Sequence, residues 1–379
     1  MLNIALIGST GSIGRQVLNV VDRYPNKYKI VSMAAGSNVA LFEAQVNKYK
    51  PQIACLANAE VAHTIKSLPN ETCFYYGENS PVHAVCESAD IVFVAVSGFA
   101  GLKVVKRAIE LKKNVALANK ETLVAGGELI MPLAKENGVK IIPVDSEHSA
   151  IWQCLDFDEN KQFKKLIITA SGGAFRNLTK EQLSSVTAND ALKHPNWLMG
   201  KKITIDCATM MNKGFEVIEA MWLFDVPHEK IDVLIHPQSI VHSMVEFSDG
   251  SILAQMGVPS MEIPIQLALT YPDRLETNLE PLSLAGKSLD FKEVDGDFYP
   301  CFALVEKAIK LGANYPCALS GADEMAVELF LNGKIAFNDI ASAISYALEK
   351  TQKLDVTFDN LYYTDKEARR LVLEYFNRR

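Results

Sequence analysis

The chain has 379 residues, 49% hydrophobic and 22% charged, which is enough for two or three domains with a sizeable core. Its 38 basic and 45 acidic residues give a formal net charge of −7, which argues against a general nucleic-acid binder. The seven cysteines form no Cys-x-x-Cys pair, and no apolar run could span a bilayer. A strand-like run without a secretory leader opens the sequence, so we expect a cytoplasmic globular enzyme without membrane or nucleic-acid partners.

The first 145 residues alternate short apolar strand patterns with helical patterns. The predicted strands are 3–8, 28–35, 53–56, 91–96, 115–117 and 140–144. The predicted helices between them are 13–24, 41–49, 61–68, 101–112 and 127–137. This βαβ alternation predicts an α/β fold that begins with a Rossmann-like parallel sheet, covered by helices on both faces.

The pattern changes after residue 146. Further strands are predicted at 165–170, 202–206, 232–236, 243–247 and 252–255, with an amphipathic helix at 212–224. Residues 270–298 have the composition of a linker, and four helical patterns follow at 301–311, 321–331, 337–351 and 365–377. We therefore expect a nucleotide-binding domain (1–145), a central α+β domain (146–269), a linker (270–298) and a C-terminal helical bundle (299–379).

A glycine-rich loop lies between the first strand and the first helix. It reads Gly8-Ser9-Thr10-Gly11-Ser12-Ile13-Gly14, with G-x-x-G-x-x-G spacing. Glycines permit a tight turn and close backbone approach, and the helix N-terminus attracts a pyrophosphate. The position favours a dinucleotide site over a glycine-rich turn without a ligand.

The sequence of the turn after the second strand indicates whether NAD or NADP is bound. An acidic residue there would bind the ribose 2′-hydroxyl of NAD. The turn reads Ala34-Ala35-Gly36-Ser37-Asn38 and carries no carboxylate. NADP is therefore favoured, although the turn contains no Arg or Lys to hold the 2′-phosphate.

Two groups of polar residues suggest a metal and substrate site. Asp145 and Glu147 follow a parallel strand and would project to the same side of an extended chain, as oxygen ligands for Mg²⁺ or Mn²⁺. Lys213 and Glu216 are spaced to share a helix face with Asn212, which suits an anionic or polyol substrate. The alternatives are an acidic solvated turn and an ordinary surface salt bridge.

Two loops complete the candidate site. Ser171, followed by two glycines, offers a hydroxyl and backbone N–H groups as a phosphate cradle. The segment 194–200 combines His194, Trp197 and Met199 between Pro195 and Gly200. Such a loop can close over a ligand, or its tryptophan can simply be packed.

Several long motifs in the right order resemble the 1-deoxy-D-xylulose 5-phosphate reductoisomerase family, the NADPH-dependent enzymes of the non-mevalonate isoprenoid route. Besides the glycine loop, the motifs are Leu117–Glu121, Pro143–His148, Ala170–Gly173, His194–Trp197, Ala208–Gly214 and His236–Ser239. The resemblance covers essentially the whole chain. It implies isomerisation of the ketose phosphate followed by reduction of the resulting aldehyde, giving 2-C-methyl-D-erythritol 4-phosphate.

The resemblance also implies a homodimer and assigns residues by position. The NADPH contacts would be Thr10, Gly11, Ser12, Ile13, Gly36, Ser37, Asn38, Asn119, Glu121 and Gly200. The divalent metal would be held by Asp145, Glu147 and Glu216. The substrate would contact Lys120, Ser146, Glu147, Ser171, His194, Cys207, Asn212, Lys213 and Glu216. The catalytic set would be Lys120, Asp145, Glu147, His194 and Glu216, with Trp197 and Met199 in a mobile lid.

Two positions depart from the common family pattern. Ser37 stands where the family often has a basic residue near the 2′-phosphate, and Cys207 stands where a phosphate-binding serine is usual. Three other functions fit these residues less well. A short-chain dehydrogenase needs a Tyr-x-x-x-Lys pair, which occurs only at 346–350 and 362–366, in the helical region. A homoserine-dehydrogenase-like enzyme would not explain the three carboxylates, and retention of every proposed metal ligand argues against a non-catalytic NADP sensor.

Overall fold

The computed structural model describes residues 1–158, 161–192 and 199–378. The strands are β1 Leu2–Ile7, β2 Tyr28–Ala35, β3 Ile53–Leu56, β4 Cys73–Tyr76, β5 Ile91–Val94, β6 Asn114–Leu117, β7 Ile141–Pro143, β8 Lys165–Ala170, β9 Ile231–Ile235, β10 Val241–Glu246, β11 Ile252–Met256 and β12 Lys292–Glu293. The helices are α1 Ser12–Arg23, α2 Val39–Tyr49, α3 Ala59–Ala62, α4 Gly101–Glu110, α5 Glu121–Glu136, α6 Ser146–Cys154, α7 Lys180–Leu183, α8 Ala188–Ala191, α9 Lys201–Ala208, α10 Met211–Leu223, α11 Glu262–Thr270, α12 Pro300–Leu311, α13 Tyr315–Leu331, α14 Phe337–Lys350 and α15 Phe358–Asn377.

The chain forms two compact units, each made of three segments that are not contiguous in the sequence. Unit 1 comprises 1–122, 130–145 and 261–277, and unit 2 comprises 123–129, 146–260 and 278–379. In the part of the chain that the structure describes, no helix combines the length and the apolar character needed to cross a membrane.

Unit 1 is built on a seven-stranded sheet in the order β4-β3-β2-β1-β5-β6-β7, in which every pairing is parallel. The middle strand β1 is apolar, and its residues Ile4 to Ile7 are fully buried. The chain order reverses between β1 and β5, and such a switch point opens a crevice beyond the carboxyl ends of the strands. This arrangement confirms the predicted Rossmann-like sheet and places the glycine loop at its switch point.

Unit 2 contains a five-stranded mixed sheet in the order β11-β10-β8-β9-β12. Only β8 and β9 are parallel, and the other pairings are antiparallel. Apolar residues of α6 and α10 pack on β8, β9 and β10 in one buried cluster. A larger cluster joins α9 and α10 to the C-terminal helices α12–α15. The predicted α+β region and helical bundle are therefore confirmed.

Two predicted elements are wrong. Residues 202–206 lie in helix α9 and not in a strand, although Ile203, Thr204 and Ile205 have the β-branched side chains typical of strands. An ion pair of 2.6 Å between Lys202 and Asp206, one helical turn apart, stabilises the helix instead.

The predicted helix 61–68 is also wrong, because α3 ends at Ala62. The Glu43 carboxylate accepts hydrogen bonds from the backbone N–H groups of Lys66 and Ser67, so these donors are not available to a helix. Among the described residues, six elements were not predicted: strands β4 and β12 and helices α6, α7, α8 and α11. Of the predicted linker, residues 270–277 lie in unit 1 and residues 278–298 lie in unit 2, where they supply β12.

Candidate active site

The glycine loop of unit 1 is tightly packed against the sheet. Gly8 has a φ of +99°, and a Cβ there would lie 2.5 Å from the carbonyl oxygen of Ala95. A Cβ on Gly14 would lie 2.1 Å from the carbonyl oxygen of Gly8, so α1 begins almost in contact with the loop. Gly11 is the N-cap of α1, without a side-chain cap. The free first-turn N–H groups and the positive end of the helix dipole fit a pyrophosphate.

The predicted cofactor residues of this loop, Thr10, Gly11, Ser12 and Ile13, are all at least partly exposed, as a ligand-binding loop requires.

The turn after β2 lies beside this loop. The backbone N–H groups of Gly8 and Ser9 both donate to the carbonyl oxygen of Ala34, at 2.8 and 2.9 Å. The predicted cofactor residues Gly36, Ser37 and Asn38 are exposed. The Asn38 side chain caps α2 by accepting from the Leu41 N–H, so it has a structural role in the protein.

The segment after β6 lies at the same carboxyl end of the parallel sheet as the two loops above, and it contains a network of hydrogen bonds. The Asn119 amide donates to the carbonyl oxygens of Val96 and Gly98 and to the Glu121 carboxylate, over 2.9–3.1 Å. A Cβ on Gly101 would lie 2.2 Å from the Asn119 Oδ1, so that glycine makes room for the network. The predicted residues Asn119 and Glu121 are therefore brought together and held rigidly.

Lys120 and Asp145 form a nearly buried ion pair in unit 1. The distance between Lys120 Nζ and Asp145 Oδ2 is 2.6 Å, and the two side chains are 7% and 12% exposed. They follow the neighbouring strands β6 and β7. Both belong to the catalytic set that the family resemblance implies, but their pairing was not predicted.

The position of Glu147 differs from the predicted one. The sequence pattern predicts that Asp145 and Glu147 lie on an extended chain, but α6 begins at Ser146, so Glu147 lies in its first turn. Negative charge is favourable at a helix N-terminus. The Ser146 hydroxyl donates to the Glu147 carboxylate at 2.6 Å, which fixes that side chain.

A cluster of charged side chains joins α6 to α10 within unit 2. The Lys213 ammonium lies 2.9 Å from Glu147 Oε1 and also pairs with Glu216, which accepts a further hydrogen bond from the Asn212 amide. Lys213 is 4% exposed and Glu216 is 1% exposed, which excludes the alternative of a surface salt bridge. Burial alone would lower the pKa of Lys213, but the two carboxylates outweigh it and hold that pKa above its usual range.

The same cluster is suited to a divalent cation. Carboxylate oxygens of Glu147 and Glu216 lie within 4.8 Å of one another. Oxygen donors at this separation are what Mg²⁺ and Mn²⁺ prefer, and both ions accept carboxylates alongside water and substrate oxygens. The donor set in unit 2 therefore fits the expected metal.

A buried pair behind this cluster was not predicted. The His148 Nε2–H donates to the Glu216 backbone carbonyl at 2.8 Å, and His148 Nδ1 lies 3.4 Å from the Glu219 carboxylate. Both side chains are essentially fully buried. The pair ties α6 to α10 and so fixes Glu147 relative to Glu216. The spacing of Glu219, one helical turn after Glu216, is the sequence signal that could have suggested it.

His242 on β10 is another buried group that sequence reasoning missed. Burial, and next the nearby Lys213 ammonium, lower its pKa to about 4, although hydrogen bonds that the imidazole donates to the backbone at 257–258 act in the opposite direction. His242 is therefore neutral at physiological pH. A single histidine in a strand pattern carries no sequence signal of this kind.

The Ser171 loop meets the end of α9. Gly172 and Gly173 have φ values of +80° and +71°, in the left-handed region. A Cβ on Gly173 would lie 2.4 Å from the carbonyl oxygen of Cys207. The structure thus places the loop of Ser171 against the backbone of Cys207, two residues expected at the substrate site, although Cys207 lies in helix α9 and not after a strand.

The remaining predicted residues lie at the segment before α9. His194 and Trp197 lie outside the described residues. Met199 is half-buried, and the exposed Gly200 is the N-cap of α9, where its carbonyl oxygen accepts from the Thr204 hydroxyl at 2.8 Å.

Comparisons with known proteins identify the family. Three family models match in succession: 1-deoxy-D-xylulose 5-phosphate reductoisomerase over residues 4–127, the C-terminal domain of the same enzyme over 141–224, and a further DXP reductoisomerase C-terminal domain over 256–371. A 1-deoxy-D-xylulose 5-phosphate reductoisomerase of Halalkalibacterium halodurans is 47% identical over 378 residues, which cover 98% of this chain and 99% of the relative. One from Bacillus thuringiensis subsp. konkukian is 47% identical over 97% of this chain and 96% of its own length.

Solved structures agree with this assignment. A DOX-P reductoisomerase in complex with NADPH, fosmidomycin and magnesium superposes with a TM-score of 0.93 at 37% identity, covering 99% of this chain and 98% of that one. The Zymomonas mobilis enzyme in complex with NADPH gives 0.91 at 37% identity with the same coverage. The resemblance found in the sequence is confirmed: this chain belongs to the 1-deoxy-D-xylulose 5-phosphate reductoisomerase family.

Proposed function

We propose that the residues described above carry out the reaction of this oxidoreductase, which uses NADPH and a divalent metal to isomerise and reduce 1-deoxy-D-xylulose 5-phosphate to 2-C-methyl-D-erythritol 4-phosphate in isoprenoid precursor biosynthesis. The observation that supports this assignment of roles most strongly is the buried cluster of Lys213 with Glu147 and Glu216. Burying an ammonium with two carboxylates is costly, and such clusters are typical of functional sites.

We propose Asp145, Glu147 and Glu216 as the metal ligands. Glu147 and Glu216 supply converging oxygens in unit 2, and Asp145 precedes Glu147 by two residues of the chain. When bound, the metal would polarise the substrate oxygens and NADPH would supply a hydride. Lys120 pairs with the Asp145 carboxylate at 2.6 Å, which supports its place in the proposed catalytic set. His194 completes the proposed catalytic set.

The substrate phosphate is assigned to Ser171, Cys207, Asn212 and Lys213. Support comes from the contact of the Ser171 loop with the end of α9, and from the position of Asn212 and Lys213 in the first turn of α10. Amide and ammonium donors at a helix N-terminus suit a dianion. A Cys207 thiol is a weaker hydrogen-bond donor than a serine hydroxyl, so we assign it a minor contribution to phosphate binding.

The cofactor is assigned to the carboxyl edge of the parallel sheet. The loop after β1, the turn after β2 and the Asn119–Glu121 network after β6 carry the proposed NADPH contacts, to which Gly200 is added. The tight glycine loop supports this assignment, because Gly8 and Gly14 let the backbone turn sharply and let α1 start close to β1, so that the first N–H groups of the helix are available to a pyrophosphate. In this proposal the nucleotide-binding domain (1–145) binds NADPH, and the central domain (146–269) carries catalysis and dimerisation. The linker (270–298) joins the central domain to the helical domain (299–379).

We further propose a cytoplasmic homodimer that accepts Mn²⁺ as well as Mg²⁺. The support for dimerisation is strand β11, which forms one edge of the second sheet and carries Ile252 and Leu253 at 51% and 48% exposure. An exposed apolar edge strand is a surface that a second copy can cover.

An assay of the unmodified protein tests the function. NADPH absorbance should fall only when 1-deoxy-D-xylulose 5-phosphate and Mg²⁺ are both present, and mass spectrometry should detect 2-C-methyl-D-erythritol 4-phosphate. EDTA should stop the reaction, and excess Mg²⁺ should restore it. NADPH oxidation that is indifferent to the sugar phosphate would contradict the proposal.

A further inference from the structure

The loop that carries Ser171 is held by a tyrosine from a distant part of the chain. The Tyr299 hydroxyl donates to the carbonyl oxygen of Gly172 at 3.0 Å. Tyr299 is 4% exposed and is the N-cap of α12, so its position is set by the helical part of unit 2. Burial raises the pKa of Tyr299 to about 12, and the hydroxyl therefore stays protonated as a donor.

A second side chain holds the neighbouring carbonyl of the same loop. Arg176 Nη1 donates to the carbonyl oxygen of Ser171 at 3.2 Å. The loop has two consecutive glycines with positive φ, and glycine has more backbone freedom to lose than any other residue. Two external donors on consecutive carbonyls therefore restrict a segment that would otherwise be mobile.

Tyr299 also contacts the start of α10. Its ring belongs to a small buried cluster with Ala170, the last residue of β8, and Met210. Met210 is the N-cap of α10 and has a left-handed backbone with a φ of +61°. One side chain thus touches both segments that supply the proposed phosphate ligands: the Ser171 loop through its hydroxyl, and the helix of Asn212 and Lys213 through its ring.

We propose that Tyr299 is a positioning residue of the phosphate pocket, which sets the Ser171 loop against the first turn of α10 at the separation that a phosphate dianion requires. This inference rests on the proposed function of that pocket. A pocket for a dianion needs donors at fixed positions, because donors that must be ordered on binding reduce affinity. Tyr299 supplies the order without touching the substrate.

The substitution Tyr299→Phe removes the hydroxyl and keeps the ring in its cluster. We expect the KM for the sugar phosphate to rise about two- to tenfold, the range for one modest hydrogen bond, with kcat and the KM for NADPH unchanged within about twofold. Calorimetric titration with inorganic phosphate should show its Kd rising by a similar factor. This second readout does not depend on turnover.

The matched control is Tyr315→Phe. Tyr315 also donates its hydroxyl to a backbone carbonyl, that of Thr351 at 3.3 Å, but it links α13 to the end of α14. The control should leave both KM values and the phosphate Kd unchanged, whatever its effect on thermal stability. Arg176→Gln, which removes the second donor to the loop, should reproduce the selective rise in substrate KM and replaces Tyr299→Phe if that variant does not fold.

An unchanged phosphate Kd and substrate KM in Tyr299→Phe would overturn the inference. A parallel change of kcat, of both KM values and of melting temperature would also overturn it, because that pattern indicates general loosening. Failure of the unmodified protein to turn over the sugar phosphate would instead refute the proposed function.

Discussion

Replacing Lys213 by methionine tests the charge balance of the active-site cluster. Lys213 is 4% exposed, and its ammonium neutralises the carboxylates of Glu147, at 2.9 Å, and Glu216. Methionine keeps most of the volume but leaves the buried Glu216 carboxylate, and the Glu147 carboxylate at 17% exposure, without their cation. Breaking a buried ion pair from one side costs about 3–5 kcal/mol, so we expect the free energy of unfolding to fall by about that amount.

Urea unfolding followed by circular dichroism in EDTA measures this loss. The matched control is Lys164→Met, which removes an ion pair with Glu246 whose lysine side chain is 57% exposed, and which should cost less than about 1 kcal/mol. Mg²⁺ should stabilise Lys213→Met more than the unmodified protein, because the metal can then replace the missing positive charge. A loss as small as that of the control, or no extra stabilisation by Mg²⁺, would refute the reasoning.

Two further predictions concern the cofactor and pH. The unmodified enzyme should prefer NADPH to NADH. Ser37→Arg at the exposed turn after β2 should lower the KM for NADPH alone, because a guanidinium pairs bidentately with phosphate. An equal change in the KM for NADH would count against this turn as the 2′-phosphate site. The pKa of His242 is about 4 in the folded protein, against 6.5 for an ordinary histidine. Between these two pH values the unfolded chain binds a proton that the folded chain does not. The free energy of unfolding therefore falls as the pH falls. Its contribution to that loss is about 2 kcal/mol at pH 5, and His242→Gln should flatten the pH dependence of urea unfolding by this amount; an unchanged slope would exclude His242 as the cause.

Much of the fold was predictable because the first sheet is buried on both faces. A parallel strand covered on both sides must be apolar throughout, as Ile4 to Ile7 are, and such runs are visible in a sequence. The α9 segment was not predictable in this way. Its Ile203, Thr204 and Ile205 favour a strand locally, and the ion pair between Lys202 and Asp206 that favours the helix counts only once the segment is packed.

The site was predictable where local spacing determines the contact. The pairing of Lys213 with Glu216 and of Asn212 with Glu216 follows from helix periodicity, and both contacts are present. The contacts of Glu147 with Lys213 and of Tyr299 with the Ser171 loop join residues 66 and more than 120 positions apart. No local pattern specifies such contacts, because they depend on how the sheet and helices of unit 2 pack.

The most direct test of the proposed metal site is the turnover of Glu216→Gln. The amide keeps the size of the side chain but removes one anionic ligand, so kcat with saturating Mg²⁺ should fall by at least about 10²-fold, as for loss of an electrostatic stabiliser. Glu246→Gln, which alters an ion-paired carboxylate outside the proposed ligand set, should retain normal turnover. Near-normal turnover of Glu216→Gln at an unchanged Mg²⁺ requirement would contradict the assignment of Asp145, Glu147 and Glu216 as the metal ligands.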